Sequence, residues 1–103
     1  MFVNKIIHKK MIAIVATLKA KEHYREEVAT ALQKLVEASL QEDGCHEYRL
    51  HTAINNPLEF LFYELWEDKE AIDKHTQTEH FVGFQKNAAE WLEKSEINLY
   101  KPL

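Results

Sequence analysis

The sequence has few of the residues on which several protein classes depend. It contains two glycines, two prolines and one cysteine in 103 residues. Two glycines cannot build a glycine-rich phosphate loop or a dinucleotide-binding turn, so no nucleotide-type cofactor is expected. The single cysteine, Cys45, has no partner for a disulfide within the chain. With 46% apolar residues and so little glycine and proline, the composition excludes collagen-like and low-complexity chains and is typical of one folded domain.

Long hydrophobic runs are also absent. No apolar segment approaches the ~20 residues that a membrane-spanning helix needs, so no membrane span is expected. The first ten residues, MFVNKIIHKK, lack the apolar region and the small-residue cleavage site of a signal peptide. A cytoplasmic location is therefore the default expectation.

The charge is unevenly distributed along the chain. The net charge is −4, but residues 11–103 carry ten Lys and Arg against seventeen Asp and Glu, a net charge of −7. An acidic surface repels a phosphate backbone, so nucleic acid is not an expected partner. Residues 1–10 are interpreted as an extension before a single domain at 11–103. The extension is either a frayed tail or, through VNKII, an addition to a sheet edge.

The remaining sequence alternates between two hydrophobic periods. Patterns typical of strands occupy residues 11–20, 45–54, 59–67 and 96–103. Patterns typical of helices occupy residues 23–40, a short segment after Asp68 and a longer segment that follows Thr76. Asp68 is suited to cap the short helix, and Thr76 with Glu79 fits a capping box for the longer one. Asn55-Asn56-Pro57 indicates the turn of a hairpin.

This order, β-α-β-β-α-β, predicts an α+β, ferredoxin-like fold in which both helices cover one face of a four-stranded antiparallel sheet. The other face would then be bare and apolar, with Leu61 and Leu65 among its residues. Because a bare apolar face of this size favours association, we expect a homodimer that forms a combined α+β barrel.

The six histidines raise the question of a metal site. No His-x-His or His-x-x-x-His pair occurs. Glu64, His75 and His80 would be the set for a two-histidine, one-carboxylate site, but three separate elements would have to converge to form it. We therefore expect no metal. Cys45 is flanked by carboxylates, which raise a thiol pKa, so a small buried side chain is expected there rather than a nucleophile.

The strand at 59–67 has the most informative pattern. Alternation places Phe62, Glu64 and Trp66 on one face, so a carboxylate lies between aromatic rings. If that face is buried, Glu64 needs a hydrogen-bond donor, and His75 or His80 is the candidate. An imidazole held by a carboxylate in an aromatic cavity is suited to accept a proton from a phenol or an enol. The alternative is a satisfied buried polar pair that only joins strand to helix.

Several motifs together resemble one family. They are GCHEY at 44–48, FYELWED at 62–68, Ala71, His75 and TEHF at 78–81. Over roughly residues 11–100 the sequence is similar to the antibiotic biosynthesis monooxygenase superfamily, and most closely to its small bacterial members similar to quinol monooxygenases. The resemblance implies a dimeric α+β barrel with a pocket between sheet and helices. It also implies cofactor-free oxygenation, in which deprotonation of a phenol or quinol gives an anion that reduces dioxygen itself.

Two branches of the superfamily differ from this sequence. The polyketide oxygenases carry an Asn and a Tyr where this chain has Phe62 and Ile72, so their detailed mechanism is not transferred. At the positions of the Trp and the His of heme-degrading relatives, this chain has His75 and Gln85, which disfavours heme degradation. A third branch isomerises a small phosphorylated compound and would require a basic group in the pocket, for which Arg49 and Lys86 are the candidates.

These observations predict a cofactor-independent monooxygenase that oxidises a small quinol or hydroxylated aromatic with dioxygen. His75 or His80 would be the catalytic base and Glu64 its orienting group. Substrate-binding residues would be Trp66, Phe62, Tyr48 and Phe84. The alternatives are a cofactor-free isomerase or detoxifying enzyme for a reactive carbonyl or phosphorylated signal compound, and a ligand-binding dimer without turnover.

Overall fold

A computed structural model describes residues 10–103. The extension predicted at residues 1–10, including any pairing of VNKII with the sheet, lies almost wholly outside this range. Four strands form one antiparallel sheet in the order β2-β3-β1-β4. The strands are β1 (Ile12–Ala20), β2 (Cys45–Ala53), β3 (Asn56–Trp66) and β4 (Leu92–Tyr100). The helices are α1 (Arg25–Ser39), preceded by a 3₁₀ turn (Glu22–Tyr24), α2 (Lys69–His75) and α3 (Glu79–Trp91).

The predicted ferredoxin-like fold is confirmed, with every predicted helix and strand present. The main differences lie at boundaries. β3 begins at Asn56, so the hairpin turn is Ile54-Asn55, and β4 begins at Leu92 directly after α3. None of the helices within residues 10–103 is both long and apolar enough to cross a bilayer.

The cap of α3 corrects a prediction. The N-cap is Thr78, whose hydroxyl accepts a hydrogen bond from the backbone N–H of Phe81 at 3.2 Å. Thr76, the predicted cap, has helical dihedral angles (φ −70°, ψ −8°) because it ends α2. Thr78 is extended (φ −71°, ψ 155°), the conformation that an N-cap needs. Asp68 caps α2 as predicted, accepting from the N–H of Ala71 at 3.0 Å.

The core lies between the helices and one face of the sheet. Alternation along β3 buries Phe60, Phe62, Glu64 and Trp66 against the helices. From α1, the side chains that complete this layer are those of Val28, Leu32, Leu35 and Ser39. Leu61, Tyr63 and Leu65 point to the opposite face, which we call the open face, and are half-buried there. The two faces of β3 are thus divided as the sequence predicts.

The edge strand β4 is only partly covered. Ile97 and Leu99 pair with Ala16 and Ile14, which places them on the helix side of the sheet. Their side chains are nevertheless 56% exposed, and the neighbouring Tyr100 is 54% exposed. Within residues 10–103, the helices therefore leave the outer part of the sheet uncovered.

Candidate active site

The structure brings most of the predicted site residues together at one end of the core. Tyr48 on β2 is the register partner of Glu64 on β3, and Trp66 lies two residues further along the same face. His75 is the last residue of α2 and His80 the second residue of α3, so the short connection between these helices holds both imidazoles over that end of the sheet.

Glu64 has a different partner from the one predicted. Its Oε1 accepts a hydrogen bond from the indole N–H of Trp66 at 2.8 Å, and it makes no hydrogen bond to a histidine of the described chain. The reason is local, because residues i and i+2 of a strand share a face. The indole N–H of Trp66 therefore reaches the carboxyl group before any helix residue does. The prediction that Glu64 orients His75 or His80 is wrong.

The carboxylate that contacts the histidines is that of Glu42, in the turn between α1 and β2. Its Oε2 lies 2.7 Å from Nδ1 of His75 and 2.7 Å from Nε2 of His80. The His75 side chain is 3% exposed, that of Glu42 12% and that of His80 26%. The three groups thus form a chain of polar contacts that runs from the core to the surface.

Aromatic rings surround the inner imidazole. The His75 ring centroid lies 4.6 Å from that of Trp66, 5.0 Å from that of Phe81 and 5.6 Å from that of Tyr48. Tyr48 in turn lies 4.8 Å from Phe62. Phe84, the remaining predicted binding residue, is half-buried further along α3, where it contacts Trp91 edge-on at 6.3 Å. Three of the four predicted binding residues therefore lie in one cluster with His75.

Burial changes the ionisation of these groups. It raises the pKa of Glu64 to about 7, an effect that the Trp66 hydrogen bond opposes and the charge of Glu42 reinforces. Burial lowers the pKa of His75 below its ordinary value, although the hydrogen bond to Glu42 acts in the opposite direction. Burial also raises the pKa of Tyr48 above its usual range. Near neutral pH, His75 is therefore an uncharged imidazole that can accept a proton.

Cys45 lies beside this cluster as a free thiol. Burial, together with the charges of Glu42 and Glu64, raises its pKa to about 11. A thiol that stays protonated near neutral pH is a poor nucleophile, as the flanking carboxylates predicted.

The aromatic cluster is closed in this conformation. Trp66 is fully buried, and two cavities in the described part of the chain are lined by residues other than the seven predicted site residues. The first cavity, of about 520 Å³, lies on the open face at the end of the sheet away from Trp66; its lining includes Thr17, Lys19, His51, Glu59, Leu61 and Glu96. The second, of about 550 Å³, lies between α1 and Trp91 of α3.

The two basic candidates for a phosphate-binding group do not meet the cluster. Arg49 pairs with Tyr63 in the register of β2 and β3, which places it on the open face, and its Nε lies 2.9 Å from Glu47 Oε1. Lys86 is exposed on α3. The geometry therefore gives no support to a phosphorylated substrate in this cluster.

Glu42 is the residue that sequence reasoning missed. In the sequence it is one of the carboxylates that flank Cys45, and 33 residues separate it from His75. A buried histidine needs a hydrogen-bond partner, so an acidic residue near His75 could be expected. No spacing in the sequence identifies which of the seventeen acidic residues that is.

A comparison with family models gives one match. The model described as "Antibiotic biosynthesis monooxygenase" matches residues 11–87. This range contains Glu42, His75 and His80 together with the aromatic residues around them.

Sequence comparison with curated proteins and structural comparison with solved structures also find relatives of this chain. The chain is 35% identical to "Putative monooxygenase YcnE" of Bacillus subtilis, over 80% of this chain and 86% of that protein. It is 33% identical to sll1783 of Synechocystis, over 87% of this chain but only 62% of that longer relative. The crystal structure of PA3566 from Pseudomonas aeruginosa superposes with a TM-score of 0.88 at 29% identity, covering 93% of this chain and 97% of that one.

Proposed function

This chain belongs to the antibiotic biosynthesis monooxygenase family, and we propose that it catalyses the cofactor-independent oxygenation of a small quinol or hydroxylated aromatic by dioxygen. The observation that carries the proposal is the hydrogen bond between Glu42 and Nδ1 of the buried His75, inside a cluster of aromatic rings. This arrangement supplies a base that can deprotonate the substrate and an environment without bulk water. A quinol that reduces dioxygen with its own electrons requires both.

His75 is the proposed base. With its Nδ1–H donated to Glu42, the imidazole has its lone pair on Nε2, which accepts the phenolic proton. The negative charge of Glu42 stabilises the imidazolium that forms, so Glu42 is a positioning residue. The resulting quinol anion reduces dioxygen: one oxygen atom enters the ring, the other leaves as water, and the quinol supplies all the electrons and becomes a hydroxylated quinone.

Substrate binding requires the closed cluster to open. Because His75 is 3% exposed, a flat substrate reaches Nε2 only after the α2–α3 segment moves away from the sheet. Trp66, Phe62 and Tyr48 then form the wall on the sheet side, where aromatic rings stack on the substrate, and Phe84 contributes from α3. His80, whose side chain is 26% exposed, remains on the solvent side of Glu42 as the alternative base.

We also propose that the protein acts as a homodimer in the cytoplasm. The half-buried apolar side chains of the open face and the exposed Ile97, Leu99 and Tyr100 of β4 support the dimer. Apolar surface of this kind is usually covered by a partner, and a second copy of the chain supplies one by two-fold symmetry.

The test is oxygen uptake by metal-stripped protein, in the presence of a chelator, with a panel of reduced naphthoquinols and anthrone-type phenols. Quinols oxidise spontaneously, so each rate is compared with a blank without enzyme. We expect uptake above the blank that falls at least about tenfold in His75→Asn and Glu42→Gln. His46→Ala is the matched control, since His46 pairs with Glu67 at 2.6 Å on the surface. Equal rates in all variants, or none above the blank, would contradict the proposal.

The closed state of the cluster favours a second candidate, a ligand-binding dimer without turnover. Its signature in the same experiments is tight binding of a quinol, seen as quenching of tryptophan fluorescence, with no oxygen uptake. Proton exchange into a carbon acid without oxygen uptake would instead indicate an isomerase that uses the same base.

A further inference from the structure

We propose that Glu42, His75 and His80 form a binding site for one divalent first-row transition-metal ion. The three donor atoms, a carboxylate oxygen and two imidazole nitrogens, all lie within 4.8 Å of one another. This set replaces the one considered from the sequence, in which Glu64 stood in the place of Glu42. The proposal does not rest on the proposed function.

The fold brings the three donors to one point. Glu42 lies in the turn before β2, His75 ends α2, and His80 lies in the first turn of α3. Here both imidazoles approach Oε2 of Glu42 at 2.7 Å, while no described residue donates to its Oε1. Three donors directed at one small volume, with a carboxylate oxygen to spare, is the arrangement of a metal ligand set.

Distances and chemistry agree with such an ion. Bonds from zinc to imidazole nitrogen and carboxylate oxygen measure about 2.0–2.2 Å, which in a tetrahedral site places neighbouring ligand atoms about 3.3–3.6 Å apart. The present separations of 2.7 Å to Oε2 therefore need to open by about 0.6–0.9 Å, and Glu42 lies in a turn rather than in a helix or strand. Two imidazoles and a carboxylate suit zinc, iron, cobalt or nickel better than calcium or magnesium.

The difference in burial between His75 and His80 provides a route by which an ion can enter and leaves coordination positions open to solvent. His75 is buried and Glu42 nearly so, whereas a quarter of the His80 side chain is exposed. An ion enters from the His80 side, and the proton on each ligating imidazole nitrogen moves to the other nitrogen of the same ring, so both rings stay neutral. The ion keeps water or a small ligand at its remaining positions. One ionised carboxylate with two neutral imidazoles has a charge of −1, so a bound divalent ion gives the site a net charge of +1.

Binding is measured on the full chain after chelator treatment and removal of the chelator. Zn²⁺ is titrated by calorimetry, and Co²⁺ is added separately because its visible absorption reports nitrogen and oxygen coordination. We expect one ion per chain, and affinity at least about tenfold weaker in both His80→Ala and Glu42→Gln. These two positions are chosen because the buried His75 is more sensitive to substitution, and thermal melting confirms that each variant folds.

His46→Ala is again the matched control, because His46 and Glu67 form a histidine–carboxylate pair that lacks a second imidazole. Its affinity is expected to equal that of the unmodified chain. No saturable binding in the unmodified chain, or unchanged affinity in His80→Ala and Glu42→Gln, overturns the proposal. The oxygen-uptake measurements contain a chelator, so failure of the oxygenase proposal and failure of the metal site are distinguishable.

Discussion

Glu64 is a carboxyl group among aromatic rings, 5% exposed, with the indole of Trp66 as its one hydrogen-bond donor in the described chain. Burial raises its pKa to about 7, so the folded chain binds a proton there that the unfolded chain releases near pH 4.5. The contribution of this group to stability is therefore fully present below its unfolded pKa. It is lost as the pH rises through about 7.

Glu64→Gln is expected to remove this pH dependence, because glutamine keeps the shape and the acceptor oxygen but does not ionise. Between pH 4 and pH 8, the free energy of unfolding of the original chain should fall relative to the variant by on the order of 3 kcal/mol. Urea denaturation at a series of pH values measures both curves, and the difference between them cancels the effect of other titrating groups. Parallel curves would show that Glu64 has an ordinary pKa.

Individual residues also show where sequence reasoning succeeds. The inward face of β3 was predictable because strand alternation depends only on the parity of residue numbers, and it placed Phe62, Glu64 and Trp66 together. The partner of His75 was not predictable, because Glu42 approaches it through the arrangement of three separate elements. Local rules fix which way a side chain points, whereas the contact it then makes depends on the packing of the whole fold.

At the scale of elements, the junctions between them decide the positions of the site residues. The turn that carries Glu42 ends at Gly44, which has φ +83°. A Cβ at Gly44 would lie 2.7 Å from Cβ of Ala71 on α2. This glycine therefore allows the turn to lie directly against the helix that ends in His75. A glycine just after the end of a helix is typical of the left-handed conformation, but no pattern in the sequence indicates its close approach to α2.

The two glycines form a matched pair for measurement. Gly44→Ala is expected to destabilise the fold by more than about 1 kcal/mol, because alanine disfavours a positive φ and would overlap Ala71. Gly83→Ala is expected to stabilise it by about 0.5–1 kcal/mol, because Gly83 lies within α3 and its added methyl group meets nothing within 4 Å. Chemical denaturation of both variants measures the sign and the size of the change in the free energy of unfolding. Equal effects would contradict the role assigned to Gly44.

Element boundaries illustrate a second limit of the sequence. Thr76 and Glu79 have the spacing of a capping box, yet Thr78 is the cap, because α2 extends far enough to leave Thr76 in a helical conformation. The pattern of hydrophobic residues predicted both helices correctly. It contains no information on how tightly one helix follows another, which depends on the packing of each against the sheet.

At the scale of the whole molecule, the sheet has one covered face and one open face. Leu61, Tyr63 and Leu65 of the open face are half-buried in a single copy of the chain. The outer residues of β4 add further exposed apolar surface. A single copy of the chain therefore has apolar area that a second copy is suited to cover.

Leu65→Asp is expected to convert the proposed dimer into a monomer, because a charge on the open face would be buried without a partner in the interface. Ile54→Asp is the control, since Ile54 is a large apolar residue that is fully exposed in the turn between β2 and β3. Sedimentation equilibrium over a range of concentrations gives the mass of each variant. A Leu65→Asp chain that remains dimeric would place the interface elsewhere.

The order β2-β3-β1-β4 also has a consequence for biosynthesis. β1, the earliest strand described, pairs on one side with β3 and on the other with β4, the latest. While β4 is still inside the ribosome, a nascent chain can form α1 and the β2–β3 hairpin, but β1 keeps an unpaired edge. During translation this β-branched edge is open to pairing with other chains, so the emergence of β4 from the ribosome is the step that protects it.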